Sequence, residues 1–345
     1  MERPLGAAKP SVPGEADRDV LWQAANAFRT TQALYVVAKL GIPDLLREGP
    51  RTSEDLARRA KAHPRSLFRL LRYLAGIGLF TQDTSNRFGL TPRSEPLRTD
   101  APNSMRPMVI FLGEDQYPAT AALLHTVQTG ETSFDSLHGM GHFEYLSKHP
   151  EASARFNAAM ASGLRQSENP LDSYDFSRRR VVVDVGGGRG DQIVTILRAN
   201  PTMKGILFDL PAVAGDARAY LKASGMATRC DLVTGDAFQS IPRGGDAYVM
   251  SRVLHDWADE KAALLVANCR KAISDDGILL IRDSVLPGGD APSPAKQMDI
   301  TMLIMTGGHE RSEEEWRALL DASGFSLRKV HRTSSPFDLI EADPV

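Results

Sequence analysis

With 345 residues, 42% of them apolar and 24% charged, the chain has the make-up of a globular protein with two domains, or with one domain and a large extension. A formal net charge of −2 gives no strong global attraction to nucleic acid or membrane, and two cysteines, Cys230 and Cys269, exclude a disulfide framework and a Cys-rich metal centre. No apolar run reaches the roughly 20 residues that span a bilayer. Residues 1–18 carry Pro, Gly and Ala without a signal-peptide core, so a disordered tail on a cytoplasmic protein is expected.

Leu21 to Leu46 predicts one or two helices: Ala24, Ala25, Phe28, Ala33, Leu34, Val37 and Leu40 recur at helical spacing until Gly41-Ile42-Pro43 breaks the run. Thr52 or Ser53 caps the next helix, whose first turn holds Glu54 and Asp55. After a turn at Lys61–Pro64, Ser66–Leu74 reads as another helix, and Gly76–Phe80 with Arg87–Thr91 reads as a β-hairpin. Helix, turn, helix, hairpin is a winged-helix arrangement. Between Arg51 and Arg98 stand ten Lys/Arg against four Asp/Glu. A DNA-binding role therefore competes with a dimerisation and lid role for this segment. Ala101 to Gln166 predicts helices joined by Gly/Pro turns, the last of them Ala152–Leu164 with Phe156, Asn157 and Met160. The expected organisation is a tail (1–18), a winged-helix domain (19–105), a helical linker or substrate lid (106–178) and a catalytic domain (179–345).

Val181-Val182-Val183-Asp184-Val185 suits a parallel strand buried on both faces, and it runs into Gly186-Gly187-Gly188-Arg189-Gly190 before a helical pattern begins. Glycine at such a turn lets a ligand lie against backbone N–H groups at the start of the next helix. The spacing is G-x-G-x-G, with Asp191 where a dinucleotide fingerprint has its third glycine. That fits better the glycine loop of S-adenosylmethionine (SAM) methyltransferases. Strands at Gly205–Phe208, Cys230–Thr234, Asp246–Met250 and Gly277–Ile281 alternate with helices near Asp191–Ala199, Val213–Ser224, Asp259–Ala272 and Ala295–Met305. Such alternation builds a parallel sheet with helices on both faces. A capped acidic helix, Ser312–Ser323, precedes two final strands, Phe325–His331 and Pro336–Glu341. The expected fold class is α/β: a Rossmann-like SAM-methyltransferase sheet with a C-terminal antiparallel hairpin, preceded by a mainly helical winged-helix dimerisation domain.

Each strand end offers something a nucleoside cofactor requires. Asp209, after the second strand, can accept from ribose hydroxyls. In Gly235-Asp236-Ala237-Phe238, Asp236 can accept from the adenine amino group and Phe238 offers an apolar face. Ser251-Arg252 ends the fourth strand, and Arg252 could pair with the cofactor's carboxylate. Taken singly, each Asp could instead be a helix N-cap, but acid-bearing strand ends in register argue against that. His255, in Leu254-His255-Asp256-Trp257, sits where an acceptor beside the cofactor would be reached. A neutral imidazole can take a phenol's proton as the oxygen attacks. Asp283 and Glu310 could orient it and stabilise its cation; Glu310 could instead be a capping or surface acid.

From about Leu21 onward the chain resembles the plant caffeic-acid-type and bacterial SAM-dependent O-methyltransferases, which include hydroxyindole and polyketide-tailoring enzymes. The resemblance rests on Asp184-Val185-Gly186-Gly187-Gly188-x-Gly190, Phe208-Asp209-Leu210-Pro211, Gly235-Asp236-x-Phe238, Leu254-His255-Asp256-Trp257 and Gly307-Gly308-x-Glu310-Arg311-Ser312. It implies methyl transfer from SAM, leaving S-adenosylhomocysteine, to a hydroxyl of an aromatic small molecule. It further implies His255 as general base flanked by Asp283 and Glu310, a homodimer built by the winged-helix domain, and no metal. Plant members carry Glu at the Asp283 position, which makes the contact to His255 one methylene shorter here, and Lys at the Ser251 position. Met302, Met305, Phe143 and Met160, with Met298, Phe111 and Phe134, are candidates for an apolar acceptor pocket or for plain core. Two other readings stand beside methyl transfer to oxygen: a winged-helix DNA-binding regulator, and a methyltransferase fold turned to hydroxylation or decarboxylation.

Overall fold

Gly41 adopts a left-handed conformation (φ 65°) and ends the first helical run where the sequence breaks it, so α1 (Glu15–Lys39) gives way to the single turn α2 (Ile42–Leu45). The computed structural model describes residues 15–164, 169–333 and 335–345, in two compact units that divide between Glu114 and Asp115. The expected tail lies outside the described residues as far as residue 14, whereas Glu15–Arg18 are helical. Glu-Ala-Asp-Arg holds no helix breaker.

In the first unit a two-residue strand, β1 (Arg51–Thr52), precedes α3 (Ser53–Ala60); it was not foreseen in the sequence. Thr52 caps α3 by accepting from the Asp55 N–H at 3.3 Å. α4 (Pro64–Gly76) buries Leu67, Leu71 and Leu74 along one face. β2 (Phe80–Gln82) pairs antiparallel with β3 (Arg87–Leu90), and β1 pairs with the other edge of β3. α5 (Arg106–Phe111), which carries Phe111, packs on α1. The basic excess is partly neutralised locally: Arg51, Arg58 and Arg59 bind Asp55, Arg87 binds Asp83, and Arg98 binds Glu95 and Asp100.

The second unit opens with α6 (Tyr117–Ala121), α7 (Leu123–Thr129), α8 (Ser133–His138), α9 (His142–Lys148) and α10 (Pro150–Leu164). The expected linker 106–178 is therefore not a body of its own, since 106–114 belong to the first unit and the rest to the second. Then follow β4 (Val181–Val185), α11 (Asp191–Ala199), β5 (Lys204–Asp209), α12 (Ala214–Ala223), β6 (Cys230–Thr234), β7 (Ala247–Ser251), α13 (Asp259–Ala272) and β8 (Ile278–Asp283). The chain closes with β9 (Val285–Leu286), α14 (Pro294–Met305), β10 (Arg311–Ser312), α15 (Glu313–Ala322), β11 (Phe325–His331) and β12 (Asp338–Pro344). The seven-stranded sheet has the order β11-β12-β8-β7-β4-β5-β6, and β12 enters antiparallel between β8 and β11. This is the expected methyltransferase sheet, with its switch point between β4 and β7.

Alternation along the strands explains the apolar runs. Val183, Val185, Tyr248, Met250 and Leu279 pack on α13 and α15, while Val182, Ala247, Val249, Ile278 and Leu280 pack on α11 and α12. The acidic helix α15 starts in a capping box: Ser312 accepts from the Glu315 N–H, and the Glu315 carboxylate accepts from the Ser312 N–H. Among the described residues, no helix is long and apolar enough to cross a membrane.

Candidate active site

The carboxyl ends of β4, β5, β6 and β7 meet at the switch point. Gly186, Gly188 and Gly190 all have positive φ (70°, 58° and 99°), which only glycine adopts freely. A Cβ on Gly188 would project into open space, a cradle that a bound chain can fill, while one on Gly235 would press within 2.9 Å of the Phe208 ring. Asp209, at the end of β5, accepts from the backbone N–H of Gly188 and of Leu210, each at 2.6 Å. Each oxygen keeps a second lone pair for a hydroxyl, and burial pushes this carboxyl above the usual carboxylate range. Asp236 accepts from the Phe238 N–H at 2.9 Å, and Asn268 holds the same loop by donating to the carbonyls of Ala237 and Phe238.

Ser251 ends β7, and Arg252 turns the chain with φ 57°. The Arg252 guanidinium reaches the Met160 sulfur at 3.5 Å, yet its Nε is buried without a hydrogen-bond partner among the described residues. A buried cation with a spare donor suits a carboxylate ligand. Met160 thus stands beside Arg252 rather than beside His255. Asp209 for a ribose, Gly188 opening onto free space and Arg252 for a carboxylate together fit SAM.

The turn Leu254–Asp256 presents His255, which is 5% exposed. Its Nδ1 lies 2.8 Å from Glu310 Oε1 and 3.8 Å from Asp283 Oδ1. Glu310 therefore makes the direct hydrogen bond, and the shorter Asp283 side chain stops beyond hydrogen-bond length. Glu310 is 1% exposed, which excludes a surface acid. Burial pushes Glu310 up to about 8 and Asp283 up to about 6. The two acids come together because β9 and β10 pair in parallel, Arg311 opposite Val285, just beyond them in sequence. This pairing was not foreseen.

Two further residues fix the turn. Arg311, fully buried, donates to the carbonyls of Leu254 (3.1 Å) and Trp257 (2.9 Å) and to Asp259 Oδ1 (2.8 Å). A Cβ on Gly308 would fall 2.0 Å from the His255 carbonyl oxygen, so the loop before Glu310 can lie against the turn only with glycine there. Both residues sit in the sequence motif Gly307–Ser312, but residue type alone gave them no role.

On the acceptor side, Met302 (6% exposed) and Met305 (2%) are buried on α14, and Phe134 (2%) on α8. Phe143, half-buried, lies 5.5 Å from the Trp257 ring at 30°. Trp257 also meets Phe238 edge-on at 4.8 Å, so one ring touches both the donor loop and the aromatic wall. Met298 is half-buried on α14, and Phe111 belongs to the first unit. His142 beside Phe143 gave no signal in the sequence.

Residues 121–326 match the family model of the O-methyltransferase domain, and residues 22–100 match that of the O-methyltransferase dimerisation domain. The chain is similar to a phenazine O-methyltransferase of Lysobacter antibioticus, 44% identical over 94% of this chain and 96% of the relative. It is similar also to an 8-amino-8-demethylriboflavin N,N-dimethyltransferase of Streptomyces davaonensis, 37% identical over 93% of this chain and 94% of the relative. Among solved structures it resembles an O-methyltransferase of neocarzinostatin biosynthesis in complex with SAM and 2-hydroxy-5-methyl naphthoic acid, with TM-score 0.83, 32% identity, and coverage of 92% of this chain and 96% of that one. With a SAM-type sheet and both domain models matched in order, the chain belongs to the O-methyltransferase family and is a SAM-dependent methyltransferase.

Proposed function

We propose that this enzyme transfers the methyl group of SAM to a hydroxyl of an aromatic small molecule, with His255 as general base. The observation that carries the reading is the 2.8 Å contact between Nδ1 and Glu310. A carboxylate that accepts Nδ1–H leaves the imidazole lone pair on Nε2. SAM supplies a methyl group on a sulfonium sulfur, an electrophile that does not require a fully ionised acceptor. The acceptor hydroxyl passes its proton to Nε2 as its oxygen forms the new C–O bond. The C–S bond breaks with its electron pair left on sulfur. Positive charge thereby moves from the sulfonium to the imidazolium, where Glu310 and Asp283 offset it.

In this reading Asp209 holds the ribose, Asp236, Ala237 and Phe238 the adenine, and Arg252 the carboxylate, with the backbone of Gly186, Gly188, Gly190, Gly235 and Ser251 lining the donor. Met302, Met305 and Phe143 hold the acceptor, and Met160 stands at the donor boundary. Val20, Leu21, Trp22 and Phe28 of α1 are exposed apolar side chains suited to burial against a second copy of the chain. The relatives' acceptors, a phenazine and a naphthoate, support a flat aromatic substrate, and a soluble homodimer in the cytoplasm fits them. An aromatic amine is the second reading, favoured by the similarity to an N,N-dimethyltransferase.

A screen of aromatic hydroxyl and amine compounds with labelled SAM tests the proposal. Products heavier by one methylene unit, with the methyl on oxygen by NMR, support it. Methyl on nitrogen selects the second reading, and a product that instead gains an oxygen or loses carbon dioxide points to altered chemistry. No heat of SAM binding in calorimetry would refute both.

A further inference from the structure

We infer that His142 is a specificity-determining residue, whose imidazole hydrogen-bonds a second polar atom of the acceptor, beyond the ring that carries the reacting hydroxyl. The preferred acceptor is then a fused planar aromatic with a ring nitrogen or comparable hydrogen-bonding atom, not a plain hydrocarbon phenol. This rests on the aromatic-hydroxyl reading above.

His142 opens α9 and is 5% exposed, and its Nδ1 is buried with no hydrogen-bond partner among the described residues. Three aromatic rings surround it at steep angles: Phe134 at 4.8 Å and 86°, Phe156 at 5.4 Å and 72°, and Phe143 at 5.5 Å and 66°. Burial in that box pushes the imidazole down to about 4, so it stays neutral and keeps one donor and one acceptor nitrogen. The acid that acts on it, Asp115, is engaged by Arg155 through Nε at 2.9 Å and Nη2 at 2.7 Å. Packing alone would be served better by Phe or Leu, because an unpartnered buried polar atom costs stability.

The box continues into the active site. Phe143 lies 5.5 Å from Trp257, two residues after His255. Phe134 stands on α8, which packs against α14 and its Met302 and Met305. Thr132, the cap of α8, would come within 3.1 Å of a Cβ on Gly307, at the start of the loop that carries Glu310. An acceptor held between Trp257 and α14 with its hydroxyl at His255 extends toward this wall.

The probes are 2-hydroxyphenazine and 2-hydroxyanthracene, which share an outline and a hydroxyl; only the first has ring nitrogens. Steady-state KM and kcat are measured on both for the wild type, His142→Phe and His142→Asn. The expected H142F effect is a KM for 2-hydroxyphenazine raised about tenfold relative to that for 2-hydroxyanthracene, the worth of one hydrogen bond, with kcat little changed. H142N, whose amide can sit where Nδ1 sat, restores most of the preference. H142F melts at or above the wild-type temperature. An H142F enzyme with the wild-type KM ratio overturns the inference. So does an H142F that melts well below the wild type and loses both activities, because His142 is then structural. Wild type that methylates neither compound, while the wider screen yields another O-methylated aromatic, also overturns the inference; a screen with no O-methylated product refutes the aromatic-hydroxyl reading itself.

Discussion

Replacing Glu310 by Gln keeps an oxygen for the His255 Nδ1–H but removes its charge. Burial pushes Glu310 up to about 8, and Asp283, 3.8 Å from the same nitrogen, up to about 6. Glu310 therefore keeps its proton well into the neutral range. A protonated Glu310 donates to Nδ1, which leaves the imidazole hydrogen on Nε2, and no lone pair faces the acceptor. Wild-type kcat/KM should thus rise with pH through about 8 and level off above it, as Glu310 ionises. In E310Q the carboxyl that ionises near 8 is gone, so this acid limb is lost from the profile. The plateau also falls. The 2.8 Å bond becomes charge-assisted on both sides in the transition state, and such bonds are worth about 1.5–3 kcal/mol, or roughly ten- to hundredfold in kcat. Asp283→Asn should lower the plateau less, because 3.8 Å is not a hydrogen bond. Initial rates with labelled SAM across about pH 5.5 to 9.5, with SAM affinity checked by calorimetry, read both effects. An E310Q profile with the wild-type plateau and an unshifted acid limb would refute the reasoning.

Gly308→Ala places a methyl 2.0 Å from the His255 carbonyl oxygen. The catalytic turn must move, so turnover should fall by about 10²-fold and stability by about 1–3 kcal/mol; a normal rate with a normal Tm would show that the loop yields freely. Asp184 is fully buried, and burial pushes its carboxyl from 3.8 up to about 7. The folded value lies above the unfolded one, so the stability it confers is full below about 3.8 and is lost as pH rises through about 7, a loss of about 4 kcal/mol. Thermal melts of Asp184→Asn, relative to wild type, should climb across that window and flatten above it, and a Tm difference independent of pH would contradict the assignment.

Much of the second unit was legible in the sequence because its signals are local. Val181–Val185 packs on both faces of the sheet, so every position is apolar except Asp184, and the strand reads directly. Gly186, Gly188 and Gly190 read as a turn because positive φ values strongly favour glycine. The capping box of Ser312 and Glu315 lies within four residues. What escaped depends on contacts distant in sequence. β1 exists only because Arg51 meets Phe88, and β10 only because Arg311 meets Val285. Arg311 reads as an ordinary arginine until the carbonyls of Leu254 and Trp257 close on it. Residues 106–178 read as a connector because helical periodicity does not say what a helix packs on. In fact Gln116 donates to Thr301 at 3.1 Å, and α6 to α8 lie on α14. His142 carries no pattern at all; its interest lies in three rings brought together from α8, α9 and α10.

The most direct measurement compares wild type and His255→Ala with one acceptor and labelled SAM, alongside calorimetric titration of SAM into each. The expected outcome is unchanged SAM affinity with turnover slowed by about 10²–10⁴-fold. Equal turnover in the two proteins would mean that holding donor and acceptor together suffices, and that the imidazole takes no proton.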